Sequence, residues 1–254
     1  MKKSFTWALA TMALLTVLTG CKEEDEDEIS SGDVNKGAFL VSDNGKDYYV
    51  VDMGGYPLTK LWATCNIGAT NCKEYGEYFA WGETETKNDY DWPTYAHCNN
   101  GNRLKINKYS SVATNTYNNT PDNKTSLEDI DDVAKQRYGS KWSIPTREDF
   151  QQLINRCDWK CGHVDGVWGY LFTSRENGNT IFFPLAGVRD LESLLHSGAY
   201  GFYWSKELHN RLVDENTSNN NASTLELKKP TNPVCSTYEE RYIGLPIRPV
   251  RKRN

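Results

Sequence analysis

Short apolar stretches separated by turn residues dominate the chain, and the helical period replaces them in only two places. Lys46 to Met53 and Lys60 to Cys65 predict strands, with Gly54-Gly55 as a turn between them. Leu127, Ile130, Val133, Ala134 and Tyr138 share one helical face; Ser126 stands where an N-cap belongs and Gly139 where the helix ends. Pro145-Thr146-Arg147-Glu148-Asp149 opens a second helix, capped by Thr146, with Asp149 near its positive end. Phe150, Leu153, Ile154 and Cys157 form the apolar face of that helix. Strands follow at Val167 to Ser174 and Thr180 to Pro184. Glu176-Asn177-Gly178-Asn179 joins them as a hairpin turn, because Asn-Gly tolerates positive φ. Further strands are expected at Tyr200 to Ser205, Thr224 to Leu227 and Arg241 to Val250. Asn88 to Asp122 is rich in Asn, Tyr, Thr and Ser without periodicity, which predicts a long irregular loop suited to binding. Two helices followed by many short strands predict an α+β fold.

The front of the chain is patterned differently. Lys2 and Lys3 precede an apolar run, Phe5 to Leu18, interrupted only by Thr6, Thr11 and Thr16. A basic start, a short apolar core and small residues before a cut are the marks of a secretory signal, and the run is too short to span a bilayer as a mature helix. Leu18-Thr19-Gly20-Cys21 resembles the lipobox of bacterial lipoproteins. That resemblance implies cleavage before Cys21 and acylation of its thiol and new amine, a firm membrane anchor. Lys22 is followed by the acidic run Glu23 to Glu28, which cannot bury itself and is expected to be a solvated tether. Acidic residues just after a lipidated cysteine resemble the surface-export signal of Bacteroides-type lipoproteins. The expected location is therefore the outer membrane, lipid-anchored and exposed at the cell surface. The expected organisation is a signal peptide at 1–20, a tether at 21–37 and one domain at 38–254.

The net charge of −5 gives no reason to expect nucleic acid as a partner. The basic end, Arg248 to Arg253, follows two prolines and reads as a solvated tail. With 8 Trp and 15 Tyr the chain has material for a recognition surface or for a core. Cys65, Cys72, Cys98, Cys157, Cys161 and Cys235 remain after the lipidated one; in an exported protein they are disulfides or buried thiols, with Cys65–Cys72 and Cys157–Cys161 as local pairings. Cys157, Cys161 and His163 are potential zinc ligands lacking a nearby fourth; Cys98, His97 or Cys235 would have to supply it. Glu83 and Glu85 form the carboxylate pair that glycoside hydrolysis would need, if both met one substrate. Asp214, Glu215 and Asn216 offer oxygen ligands for calcium, although a solvated loop explains them as well. His196 and His209 lack a local nucleophile. No catalytic residue, metal or cofactor is therefore assigned.

Several blocks occur in a set order. They are Trp62-Ala63-Thr64-Cys65-Asn66-Ile67-Gly68-Ala69, Glu74 to Glu83, Trp142-Ser143-Ile144-Pro145-Thr146, Phe182 to Arg189, Gly201-Phe202-Tyr203-Trp204-Ser205 and Ile247-Arg248-Pro249-Val250. In this order they resemble the Fibrobacter succinogenes major paralogous domain family over nearly all of Tyr48 to Val250. The resemblance implies a C-type lectin-like mixed fold, with two helices and twisted antiparallel sheets, in the branch that includes formylglycine-generating enzymes. The cysteine pair of such enzymes is missing, since the C-terminal region offers only Cys235. The resemblance therefore implies recognition: a displayed, non-catalytic module for a glycan or protein. The alternatives are a structural or tip subunit of a surface fibre, or a polysaccharide-processing enzyme. In resembling displayed proteins the ligand surface follows the Trp-Ser strand. That places it at Lys206, Glu207, His209 and Asn210, the amides Asn219, Asn220 and Asn221, and Tyr238, Glu239, Glu240, Arg241 and Tyr242. Trp142, Phe182, Phe183 and Trp204 are expected in the core.

The lipobox generates a direct test. Cys21→Ser should abolish incorporation of a palmitate analogue and leave the precursor uncleaved. Label retained on the variant at the wild-type level would show that Cys21 carries no lipid.

Overall fold

A computed structural model describes residues 27–55, 59–209 and 219–253. Cys21 and the tether up to Glu26 lie outside the described residues, as do Asn210 and the Asp214-Glu215-Asn216 cluster. Among the described residues, no helix is long and apolar enough to cross a membrane.

All the strand pairings are antiparallel. Strands β1 (Ala38–Asp43), β2 (Lys46–Asp52) and β3 (Lys60–Ala63) lead into a long connection holding the short β4 (Cys98–Asn99) and β5 (Asn102–Ile106). Helix α1 (Val133–Tyr138), β6 (Trp142–Ser143) and helix α2 (Arg147–Arg156) follow. The remainder is β7 (Cys157–Val164), β8 (Val167–Ser174), β9 (Thr180–Pro184), β10 (Val188–Asp190), β11 (Ser193–Leu195), β12 (Tyr200–Leu208), β13 (Asn221–Lys228), β14 (Val234–Glu240) and β15 (Val250–Lys252). They form a five-stranded sheet in the order β1-β2-β3-β15-β6, three-stranded sheets β7-β8-β9 and β12-β13-β14, and the ribbons β4-β5 and β10-β11.

The α+β expectation, with its C-type lectin-like mixed architecture, is overturned. Strands account for 41% of the described residues and helix for 13%, in several small antiparallel sheets, so the fold is mainly β. One reason is local. The helical face read from Leu127 to Tyr138 is cut by Asp132, whose buried carboxylate accepts from the amides of Lys135 and Ile144. Helix α1 therefore starts at Val133 with Asp132 as its N-cap, and Gly139 ends it in positive φ. Upstream, Ser126 and Leu127 instead pair with β12, and Ile130 is exposed. The other reason is that two stretches not expected as strands, Cys157 to Val164 and Val234 to Glu240, are strands. The stretch expected as a closing strand begins as a turn and makes isolated bridges at Gly244 and Leu245 before β15.

Helix α2 carries the capping box expected of it. Thr146 Oγ1 accepts the Asp149 amide at 3.0 Å and the Asp149 carboxylate accepts the Thr146 amide at 2.7 Å. Its face buries Phe150 and Leu153 against Trp62, Phe183, Tyr203 and Leu225, one core. A second core joins Phe79, Trp81, Trp204, Val133 and Leu245. Trp142, Phe182, Phe183 and Trp204 are all buried.

The basic end is not a solvated tail. Val250 is buried, and β15 lies between β3 and β6. Arg251 pairs with Asp43 at 2.5 Å, which holds that carboxyl below the usual range. Arg248 is fully buried, and burial pushes its pKa down. Its guanidinium donates to Asn66 Oδ1 at 2.8 Å and to the carbonyls of Thr64 and Phe182 at 3.0 Å each.

Asp27 to Ile29 runs parallel to β7: the Ile29 amide donates to the His163 carbonyl at 2.8 Å, and the His163 amide to the Asp27 carbonyl at 2.9 Å. Ile29 is buried with Val164, Leu171 and Phe182. The approach needs a glycine, because a Cβ on Gly162 would meet the Asp27 carbonyl oxygen at 2.3 Å. Gly162→Val should detach this segment and cost about 2 kcal/mol through loss of Ile29 burial. Hydrogen exchange at the Ile29 amide reads the result, and protection equal to wild type contradicts it.

Candidate functional site

The ligand surface expected between Lys206 and Tyr242 is largely scaffold. Lys206 places Nζ 3.8 Å from the buried Asp132 carboxylate, which burial pushes toward a raised pKa. Glu207 accepts the Arg147 amide at 2.9 Å, at the start of α2. Asn219 and Asn220 are buried; Asn219 Oδ1 accepts the Ser111 amide at 3.0 Å, and the Asn220 carbonyl accepts the Arg241 amide at 2.9 Å. Asn221 begins β13 opposite Glu240. Arg241 is fully buried, with Nε on the Tyr95 hydroxyl at 2.8 Å, Nη1 on the Asn219 carbonyl and Nη2 on the Lys108 carbonyl, each at 3.0 Å. Its guanidinium lies 4.7 Å from the Trp81 ring centroid. Asn219, Asn220 and Arg241 are thus withdrawn from solvent, while Lys206, Glu207 and Asn221 are half-buried.

Three of the expected residues, Tyr238, Glu239 and Tyr242, reach or approach the surface. Tyr238 is 40% exposed on β14 and rests on the buried His209, ring centroids 4.5 Å apart. Glu239 follows on the opposite strand face. Tyr242, half-buried, packs on Trp92 at 5.1 Å.

A cleft of about 540 Å³ is lined by Gly76, Glu77, Tyr78, Thr86, Lys87, Asn88, Tyr90, Arg189 and Glu192. Its floor is built from two tyrosines whose hydroxyls point inward: Tyr78 donates to the Ala186 carbonyl at 2.5 Å and Tyr90 to the Tyr78 carbonyl at 2.6 Å. The Arg189 guanidinium lies over the Tyr78 ring at 5.6 Å, and Lys87 Nζ over the Tyr90 ring at 5.5 Å. One wall is the β10–β11 ribbon, tied to Tyr90 by reciprocal amide bonds with Leu191 at 3.0 and 2.9 Å. Leu191, Leu194 and Leu195 are exposed on this ribbon, and Leu191 has positive φ. Leu194 stands directly opposite Arg189 and so shares its face.

Sequence reasoning placed Glu74 to Glu83 and Phe182 to Arg189 in structural blocks and missed the cleft between them. The available signal was Leu191, Leu194 and Leu195 in a segment too short to form a core element. The Asn88 to Asp122 stretch, expected as a binding loop, contributes Asn88 and Tyr90.

The other candidate chemistry is dispersed. Glu83 is held by Lys87 at 3.0 Å and by the Ala96 amide at 2.8 Å, while Glu85 is exposed and 3.8 Å from Arg137. Each is therefore engaged by a different cation. Glu83 and Glu85 line a second cleft of about 400 Å³ with His97 and Asp131. His97 Nε2 lies 3.0 Å from the Gly82 carbonyl, and burial, with Arg241 nearby, lowers its pKa. Cys157, Cys161 and His163 lie along β7, and among the described residues no group of three or more such ligands is placed to hold a metal. All six described cysteines are free thiols, with Cys157 pushed up to about 12 by burial. A Cys157–Cys161 bridge is excluded by the strand. Four residues at about 3.3 Å each separate the Cα atoms by roughly 13 Å, about twice the span of a disulfide.

Glu239 is pushed up to about 7, first by burial and then by Glu226, Glu240 and Asp190. Between its ordinary value of 4.5 and about 7, the folded protein keeps a proton that the unfolded chain has released. Stability therefore falls as pH rises through that window and levels off above it. Glu239→Gln should flatten this slope and raise Tm at alkaline pH relative to wild type. Thermal melts of both proteins across the window test it; parallel slopes would rule out Glu239 as the titrating group.

Comparison with family models, with curated proteins and with solved structures finds no match for this chain.

Proposed function

We propose that the protein is a lipid-anchored binding module at the outer-membrane surface. It takes a glycan or protein ligand without catalysis, in the cleft beside the β10–β11 ribbon. The observation that carries this reading is the ribbon itself. Three leucines stand exposed on one short hairpin, at 56%, 36% and 38% for Leu191, Leu194 and Leu195, beside a polar, open cleft. Exposed apolar side chains next to polar groups are a common mark of a recognition surface. The scaffold below is rigid, because Gly244 and Arg189 exchange amide bonds at 2.8 and 2.9 Å. Glu83 is engaged by Lys87 and Glu85 lies near Arg137, which supports binding over hydrolysis. The lipobox and acidic run support anchoring and display, and the ordered sequence blocks support kinship with the major paralogous domain family.

The edge of β1, which pairs with no further strand among the described residues, favours a second reading, a subunit of a surface fibre. Phe39 and Leu40 are exposed on that edge strand, where another chain could add a strand.

A glycan and protein array probed with residues 27–254 tests the first reading. Leu191→Ser with Leu194→Ser should weaken the captured ligand by about tenfold or more, with Tm little changed. If Tyr238→Ala abolishes capture and the leucine variant binds normally, the site lies on β14 instead.

A further inference from the structure

The charges of the main cleft are mostly answered within the protein. Lys87 is paired with Glu83 and donates to the Thr94 carbonyl at 3.1 Å. Glu77 is paired with Arg137. Arg189 differs. Nη1 makes a long contact of 3.4 Å to the Glu192 carbonyl, and among the described residues it has no ion pair. Its guanidinium is half-buried and lies on the Tyr78 ring. A ring beneath the plane supports a guanidinium and leaves its edge, the hydrogen-bonding fork, for a ligand.

The backbone under this side chain is locked. A Cβ on Gly244 would meet Tyr90 Cε1 at 2.6 Å and Arg189 Cβ at 2.8 Å. The close approach that fixes Arg189 therefore depends on a glycine across the bridge. A cation held in this way loses little freedom when it binds, so more of the interaction energy appears as affinity.

We propose that the cleft binds an acidic sugar, with the carboxylate on Arg189 and the ring hydroxyls on Thr86, Asn88 and Glu192. The inference rests on the binding-module reading and names its ligand class. A planar carboxylate matches the guanidinium fork through two parallel hydrogen bonds. The remaining lining residues are hydroxyl, amide and carboxylate groups, which suit sugar hydroxyls. A run of acidic peptide residues fits less well: it would need several unpaired cations and would meet Glu77 and Glu192. Leu194, on the face of Arg189, offers an apolar edge to a sugar ring.

Titration calorimetry at low salt with two trisaccharides tests this, one ending in glucuronate and the other in glucose. The two differ in a carboxylate against a hydroxymethyl group. The acidic sugar should bind about tenfold or more tightly than the neutral one. Arg189→Ala should remove that preference, and Arg189→Lys, which keeps the charge but not the fork, should lose most of it. Circular dichroism melts check that both variants fold. Equal binding of the two sugars, or an acidic preference surviving in Arg189→Ala, overturns the acidic-sugar inference. So does a hexaglutamate peptide that binds more tightly than the sugar. If array ligands still depend on Leu191 and Leu194, the binding-module reading stands without the acidic sugar. If neither sugar binds and no array ligand depends on the ribbon, both readings fail.

Discussion

The segment from Arg241 to Val250 depends on one constraint: two guanidinium groups are out of water without a carboxylate partner. Such a charge is tolerated only when its N–H groups find acceptors. Arg248 finds them in Asn66 and in the carbonyls of Thr64 and Phe182, which come from two distant parts of the chain. Arg241 finds them in Tyr95 and in the carbonyls of Asn219 and Lys108. Each arginine thus clamps loops that no sheet would hold together. Between them the backbone pairs piecemeal with the early chain: Ala63 with Pro249, Ile67 with Ile247, Phe79 with Leu245 and Trp81 with Arg241. Removing either guanidinium would leave several buried carbonyls unsatisfied at once.

This arrangement explains why the polar residues after Trp204 are poor recognition candidates. A dense run of Asn, Arg and Tyr resembles a paratope in composition. In the folded chain the same donors and acceptors are consumed by the clamp around Arg241. The β10–β11 ribbon, where we propose that a ligand binds, is joined to the clamp through Gly244. Rigid backbone and exposed side chains therefore adjoin, the usual arrangement of a binding site carried on a scaffold.

The acidic patch around Glu239 belongs to the same end of the molecule. Asp190, at the ribbon, and Glu226, Glu239 and Glu240, on β13 and β14, crowd like charges where burial already disfavours ionisation. That tension is a local cost, and it lies next to the cleft rather than in either core.

Some of this structure follows from local sequence. Strands β8 and β9 and the Glu176 to Asn179 turn obey short-range rules, as does the capping box of Thr146 and Asp149. Alternation, turn chemistry and caps act between residues a few positions apart, so they are legible without the fold. The burial of Trp142, Phe182, Phe183 and Trp204 also follows from their apolar area. Tertiary structure decided the rest. It cut the first helix at Asp132, because that carboxylate found amides at both Lys135 and Ile144. It drew the basic end into a sheet through Arg251 and Asp43, and it turned Cys157 to Val164 into a strand covered by Asp27 to Ile29. It also set Arg189 on Tyr78 and left Leu194 exposed beside it. In each case the outcome turns on whether a polar or charged group meets water or a distant partner, and the sequence names the group but not the partner.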